Sequence, residues 1–148
     1  MGSVSHPLLP PALDGDRREM TRRAGRLSYY VAGEGPPLLL IHSINAAASA
    51  FEMKPVFDRL IASFRVYALD LPGFGFSDRS PRRYDVRLYT DSLHDILELV
   101  ASESEPNAAV QAIALSLSSE FLARAATERG TSDRHPHPRD ADRLQQRV

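Results

Sequence analysis

The chain has 148 residues, 43% of them apolar and 25% charged, with a formal net charge of −1 and no cysteine. These values fit one globular domain. They exclude disulfide frameworks, thiolate metal sites and the broad basic surface that nucleic acid selects. The prolines at 7, 10 and 11 interrupt any signal-peptide core. The longest apolar run, around Leu38-Leu39-Leu40-Ile41, is far too short to span a bilayer. A cytoplasmic protein with no membrane and no nucleic-acid partner is the resulting expectation.

Residues 1–24 are Pro-rich, then Arg-rich, and are expected to be a mobile lead-in. Leu27 to Val31 is rich in β-formers and ends at the turn glycines Gly33 and Gly35. Pro37 to Ile41 is a continuously apolar run, the pattern of a strand buried on both faces of a parallel sheet. Met53, Val56, Phe57, Leu60, Ile61 and Phe64 make one apolar stripe on a helix. Phe64 to Leu69 is the next strand, stopped by Asp70-Leu71-Pro72-Gly73. A loop runs to about Arg83, and Leu93, Ile96, Leu97 and Val100 then recur at helical spacing. Ala108 to Ala114 is a third buried-type strand, followed by strong helix formers from Glu120 to Ala126. Gly130 is placed to cap that helix. Residues 131–148 have little to bury and are expected to be disordered. Strand and helix signals alternate, which argues for an α/β fold with a mostly parallel sheet and flanking helices.

The chemistry centres on Ala114-Leu115-Ser116-Leu117-Ser118, where a buried strand gives way to a helix. A sharp strand-to-helix turn needs small residues two positions either side of its apex, and Ala114 and Ser118 are small. Such a turn pushes the Ser116 hydroxyl out over the carboxyl end of the strand. The helix N-terminus beneath it offers free N–H groups to a developing negative charge. A serine-rich helix start is also an ordinary cap, so this segment alone leaves catalysis and capping both open.

Three stretches together resemble the α/β-hydrolase family. They are Gly33-Glu34-Gly35-Pro36-Pro37 through His42, the loop Asp70-Leu71-Pro72-Gly73-Phe74-Gly75-Phe76-Ser77-Asp78, and the elbow around Ser116. They stand in the family's order, over residues 25–129. The resemblance implies a partial α/β-hydrolase domain at 25–130 that lacks the C-terminal strands. It points to the serine-nucleophile branch of esterases, C–C hydrolases and haloperoxidase-like enzymes. It assigns Ser116 as nucleophile and the backbone N–H of Leu117 and Ile44 as oxyanion donors. It implies a small acyl substrate and no cofactor. The family usually has His-Gly where this chain has His42-Ser43, and a non-glycine residue there resists a left-handed backbone. The resemblance makes His42 structural, and Asp70 is read as accepting backbone N–H groups in its loop.

Gly73-Phe74-Gly75 lacks the third glycine and the helix that a dinucleotide site needs. His94 is expected on a helix surface or interface, and His135 and His137 in the tail lack the spacing of a metal site. A serine nucleophile needs a base and an orienting acid. In the family both come after later strands, and no strand is legible after Ser116. The abrupt change at Gly130 points to truncation, as a frameshift in a GC-rich gene would cause. A strand at 108–114 without an outer neighbour would leave a hydrophobic edge, so self-association through that edge is expected.

Overall fold

The computed structural model describes residues 9–132. Five strands form one mixed sheet, β1 (Asp16–Arg22), β2 (Gly25–Ala32), β3 (Pro37–Ile41), β4 (Arg65–Leu69) and β5 (Gln111–Ala114). Their order across the sheet is β1-β2-β4-β3-β5. The helices are α1 (Lys54–Leu60), entered through a 3-10 turn at Ala50–Met53, α2 (Val86–Ser102) and α3 (Ser118–Ser132).

Pro37 to Ile41 is buried at every position. β3 pairs in parallel with β4 on one side and β5 on the other. Its alternate side chains feed two cores. Leu38 and Leu40 face α1 with Phe57, Met53, Val66 and Tyr30. Leu39 and Ile41 face α2 and α3 with Leu93, Ile96, Val100 and Phe121. This explains why the strand reads as an unbroken apolar run. The chain leaves β3 toward α1 and leaves β5 toward α3, which cover opposite faces of the sheet. Neighbouring parallel strands whose connections diverge in this way open a crevice at their carboxyl ends.

The expected mobile lead-in is corrected over its second half. Residues 16–22 form β1, an edge strand paired antiparallel with β2 from Asp16↔Val31 to Arg22↔Gly25. Only Met20 of that strand is buried, so the apolar periodicity that announces a strand is missing. Backbone pairing and cross-strand charge hold it instead. Glu19 meets Arg17 at 2.8 Å and Arg26 at 3.3 Å. The sheet is also less parallel than expected, because β1–β2 and β2–β4 are both antiparallel.

Three further boundaries move. The apolar stripe to Phe64 is helical only as far as Leu60, and the chain then turns into β4. The last strand begins at Gln111 rather than Ala108, after a left-handed Asn107 at φ 65°. Gly130 does not cap α3, which continues to Ser132. A glycine near a helix end costs roughly 1 kcal/mol against alanine and does not force a stop. Residues 131 and 132 therefore belong to α3. The rest of the expected tail, with His135 and His137, lies outside the described residues.

Candidate active site

The site is built on the turn from β5 into α3. Leu115 N–H donates to the Ile41 carbonyl at 3.1 Å, extending the β3–β5 ladder by one bond. The backbone then reverses at Ser116, whose φ is 54°. A non-glycine residue in this region is strained by about 1 kcal/mol and persists only where its surroundings enforce it. Two bonds do so. Ser118 N–H donates to Leu115 O at 3.2 Å, and Ser119 N–H donates to Ser116 O at 3.0 Å. The Ser116 side chain is exposed and makes no hydrogen bond among the described residues. The N–H of Leu117 has none there either, as expected at the first turn of a helix.

The loop after β3 lies beside this turn, because Ile41 and Ala114 are register partners. His42 is its pivot and is wholly buried. Its Nε2 accepts from Leu71 N–H at 3.0 Å, and its Nδ1 donates to Ser43 O at 2.6 Å. These two partners select the neutral Nδ1–H tautomer. Burial pushes its pKa below the ordinary imidazole value, although Ser43 O and the Asp70 charge oppose this. His42 O accepts the Ser118 hydroxyl at 2.5 Å. One residue thus joins the loops after β3 and β4 and the turn after β5.

The orientation of the Ser43–Ile44 peptide follows. All peptides among the described residues are trans, so C=O and N–H point in opposite directions. With Ser43 O drawn to His42, the Ile44 N–H points away from the imidazole. Among the described residues it makes no hydrogen bond, whereas Ser43 N–H is taken by Glu52 Oε2 at 3.0 Å. Ser43 keeps a negative φ, so this loop does not need the family's glycine.

Asp70, at the end of β4, anchors the platform. Its carboxylate accepts Ala50 N–H at 2.9 Å and Phe76 N–H at 3.1 Å. Burial raises its pKa and these N–H bonds pull it back. Gly75 has φ 51°, and a Cβ there would overlap the Asp70 carboxyl group. Ser77 accepts Ser28 N–H at 2.9 Å and donates to Asp70 O at 2.5 Å. Phe74 sets its ring edge to His42 with centroids 5.2 Å apart.

The structure places Ser116 at the turn after β5, His42 buried beside it and Asp70 accepting backbone N–H groups, and adds the hydroxyls of Ser118 and Ser77, which the sequence did not single out. A serine at the turn's second small position was the available signal for the first. Of the two places expected for His94, surface or interface, the structure gives the interface. His94 is buried between α2 and α3, with Nε2 2.7 Å from Glu128 Oε2. Arg87 and His94 hold the Glu128 carboxylate down to about 2. A cleft of ≈ 480 Å³ opens beside the β3 loop, lined in part by Ala46, Ala48, Phe51, Phe76 and Arg79, but Ser116 is not on its wall. Among the described residues no three His, Asp or Glu side chains group to hold a metal ion. Among them, too, no helix is long and apolar enough to cross a membrane.

The family model for the alpha/beta hydrolase fold matches residues 36–116, more than half of the chain. An uncharacterised protein of Mycobacterium tuberculosis is 35% identical over 78 residues, which is 53% of this chain and 22% of that protein. A 2-(acetamidomethylene)succinate hydrolase of Mesorhizobium japonicum is 32% identical over 79 residues, covering 52% of this chain and 28% of the enzyme. A pimeloyl-[acyl-carrier protein] methyl ester esterase of Vibrio atlanticus is 39% identical over 51 residues, covering 34% and 19%. Among solved structures, E-2-(acetamidomethylene)succinate hydrolase superposes with a TM-score of 0.63 at 24% identity, over 77% of this chain and 40% of that one. This chain therefore matches well under two thirds of each of these relatives. The sheet order, the paired loops after β3 and β4 and the matched residues agree: the chain belongs to the α/β-hydrolase fold family.

Proposed function

We propose that this chain carries the nucleophile and the oxyanion site of a serine hydrolase acting on an ester or related acyl group. One observation carries the reading: Ser116 holds a left-handed backbone at the carboxyl end of β5, with its hydroxyl exposed. In this reading Ser116 Oγ attacks the acyl carbonyl carbon. The bond to the leaving group breaks and an acyl-enzyme forms, which water then hydrolyses. The N–H groups of Leu117 and Ile44 stabilise the oxyanion. The partial positive charge of the α3 N-terminus adds to that stabilisation. The names of the esterase and the succinate hydrolase similar to this chain are consistent with acyl chemistry.

The base and its orienting acid are assigned outside residues 9–132. Within them His42 spends both ring nitrogens on backbone groups, and His94 is engaged by Glu128. A base supplied in trans by a partner fits this assignment. Within residues 9–132 Ser116 is expected to be a weak nucleophile, since neither described histidine is available to activate it.

Fluorophosphonate labelling tests the reading. Ser116 should be labelled and Ser116→Ala should not, with labelling enhanced by a fraction that supplies the base. No labelling under either condition favours the second reading, a non-catalytic, self-associating fragment. The exposed edge of β5, with Ile113 39% accessible, speaks for that alternative.

A further inference from the structure

We propose that Glu52 is a positioning residue for the oxyanion loop, an inference that rests on reading Ile44 N–H as an oxyanion donor. Glu52 sits in the 3-10 turn before α1 and reaches back to Ser43 with its whole carboxylate. Its Oε2 accepts Ser43 N–H at 3.0 Å, and both oxygens lie 2.8 Å from the Ser43 hydroxyl. The same hydroxyl accepts from Asn45 Nδ2 at 2.8 Å, and Asn45 Oδ1 accepts Ala47 N–H at 3.1 Å. Ala48 N–H donates to Asn45 O at 3.1 Å and closes the turn.

This relay runs from Glu52 through Ser43 and Asn45 to Ala47. It depends on a side chain at position 43, which a glycine would lack. Charge-assisted bonds to a carboxylate are the stronger kind, and two of them hold Ser43. The consequence for Ile44 is one of elimination. Glu52 consumes Ser43 N–H, the donor nearest His42, and fixes that residue's backbone. His42 fixes the carbonyl of the next peptide. That leaves Ile44 N–H, which has no partner among the described residues, with its direction set from both sides. Glu52 touches no reacting atom and acts only through Ser43.

The test pairs amide hydrogen exchange with phosphonylation of Ser116 in the full chain, using wild type, Glu52→Ala, Glu52→Gln and Ser43→Ala. Glu52→Ala should speed exchange at residues 43–45 at least about tenfold. It should also slow the first-order phosphonylation step by about tenfold at unchanged probe affinity, a part of the roughly 10²–10³ that outright loss of one oxyanion donor would cost. Glu52→Gln keeps an acceptor oxygen and should recover most of both. Adding Glu52→Ala to Ser43→Ala should cost much less than it does in wild type, because the two act as a unit. Circular dichroism separates these effects from misfolding. Wild type that labels while Glu52→Ala labels at the same rate overturns the positioning role alone. Wild type that never labels overturns the serine reading and the oxyanion role with it. Unchanged exchange in Glu52→Ala overturns the clamp whichever way labelling falls.

Discussion

The hydroxyl of Ser118 donates to the carbonyl oxygen of His42 at 2.5 Å, tying the first turn of α3 to the loop after β3. Ser118 is fully buried, so little solvent can replace that bond. Ser118→Ala should destabilise the chain by about 1–2 kcal/mol. The chain has no tryptophan, so the urea midpoint is best followed by circular dichroism. An unchanged midpoint would mean that the turn is held by its backbone bonds alone.

The strain at Ser116 predicts a difference between two substitutions. Glycine accepts φ 54° without a Cβ penalty and alanine does not. Both remove the hydroxyl, and both should abolish labelling. Ser116→Gly should nonetheless be more stable than Ser116→Ala by roughly 1 kcal/mol. Equal urea midpoints would show that the turn relaxes in solution.

Gly75 predicts the opposite sign. Any side chain there meets the Asp70 carboxyl group, and Asp70 holds Ala50 and Phe76. Gly75→Ala should cost about 3 kcal/mol or more, because a clash, a left-handed backbone and a lost anchor coincide. Soluble expression and melting temperature measure it, and a near-neutral result would refute the packing around Asp70.

His42 sets the acid side of the stability profile. Its folded pKa lies below the unfolded value of about 6.5, so the unfolded chain takes the proton first. Its contribution is complete above that pH and is lost as pH falls below it. Asp70 is raised by burial, so it acts with the opposite sign. Its charge costs stability at neutral pH, and that cost is relieved as the pH falls into the carboxylate range. The melting temperature should therefore fall between about pH 7.5 and about pH 5.5. In His42→Asn the decline should shrink, and an undiminished slope would assign it to other groups.

The free edge of β5 predicts behaviour at high concentration. Its outer backbone groups have no partner strand among the described residues, and Ile113 is exposed beside them. Concentration-dependent association by analytical ultracentrifugation is expected, weakened in Ile113→Lys, since a charge on an edge strand opposes pairing. A monomer in both proteins at every concentration would sink the idea.

The legible parts of this fold were those with a buried periodicity or a local punctuation mark. Leu38 to Ile41 read as a two-faced strand because both faces are buried. Asp70 and Gly73 marked a tight loop by their turn chemistry. What stayed hidden had no such signal. β1 buries only Met20, so nothing in Asp16 to Arg22 alternates in polarity. Gly130 looked like a stop signal, yet the helix runs through it. In the site, the position of Ser116 was readable from small neighbours and order along the chain. The hydroxyl contacts of Ser43 and Ser118 were not: Ser118 meets His42 only once the sheet sets β5 beside β3, and Ser43 meets Glu52 only once the loop between β3 and α1 folds back on itself.

The charged rim on β1 bears on how far any association can proceed. Arg17, Arg18 and Arg22 stand along that edge and answer to Glu19, Asp16 and Glu98 on the chain's own surface. A second copy offered to this rim would have to break those pairs and meet the same charges in itself. Two copies joined back to back at β5 would show a β1 rim at each outer side. The two edges are thus unlike in kind, and growth of the sheet would terminate at the pair instead of running on into a fibre.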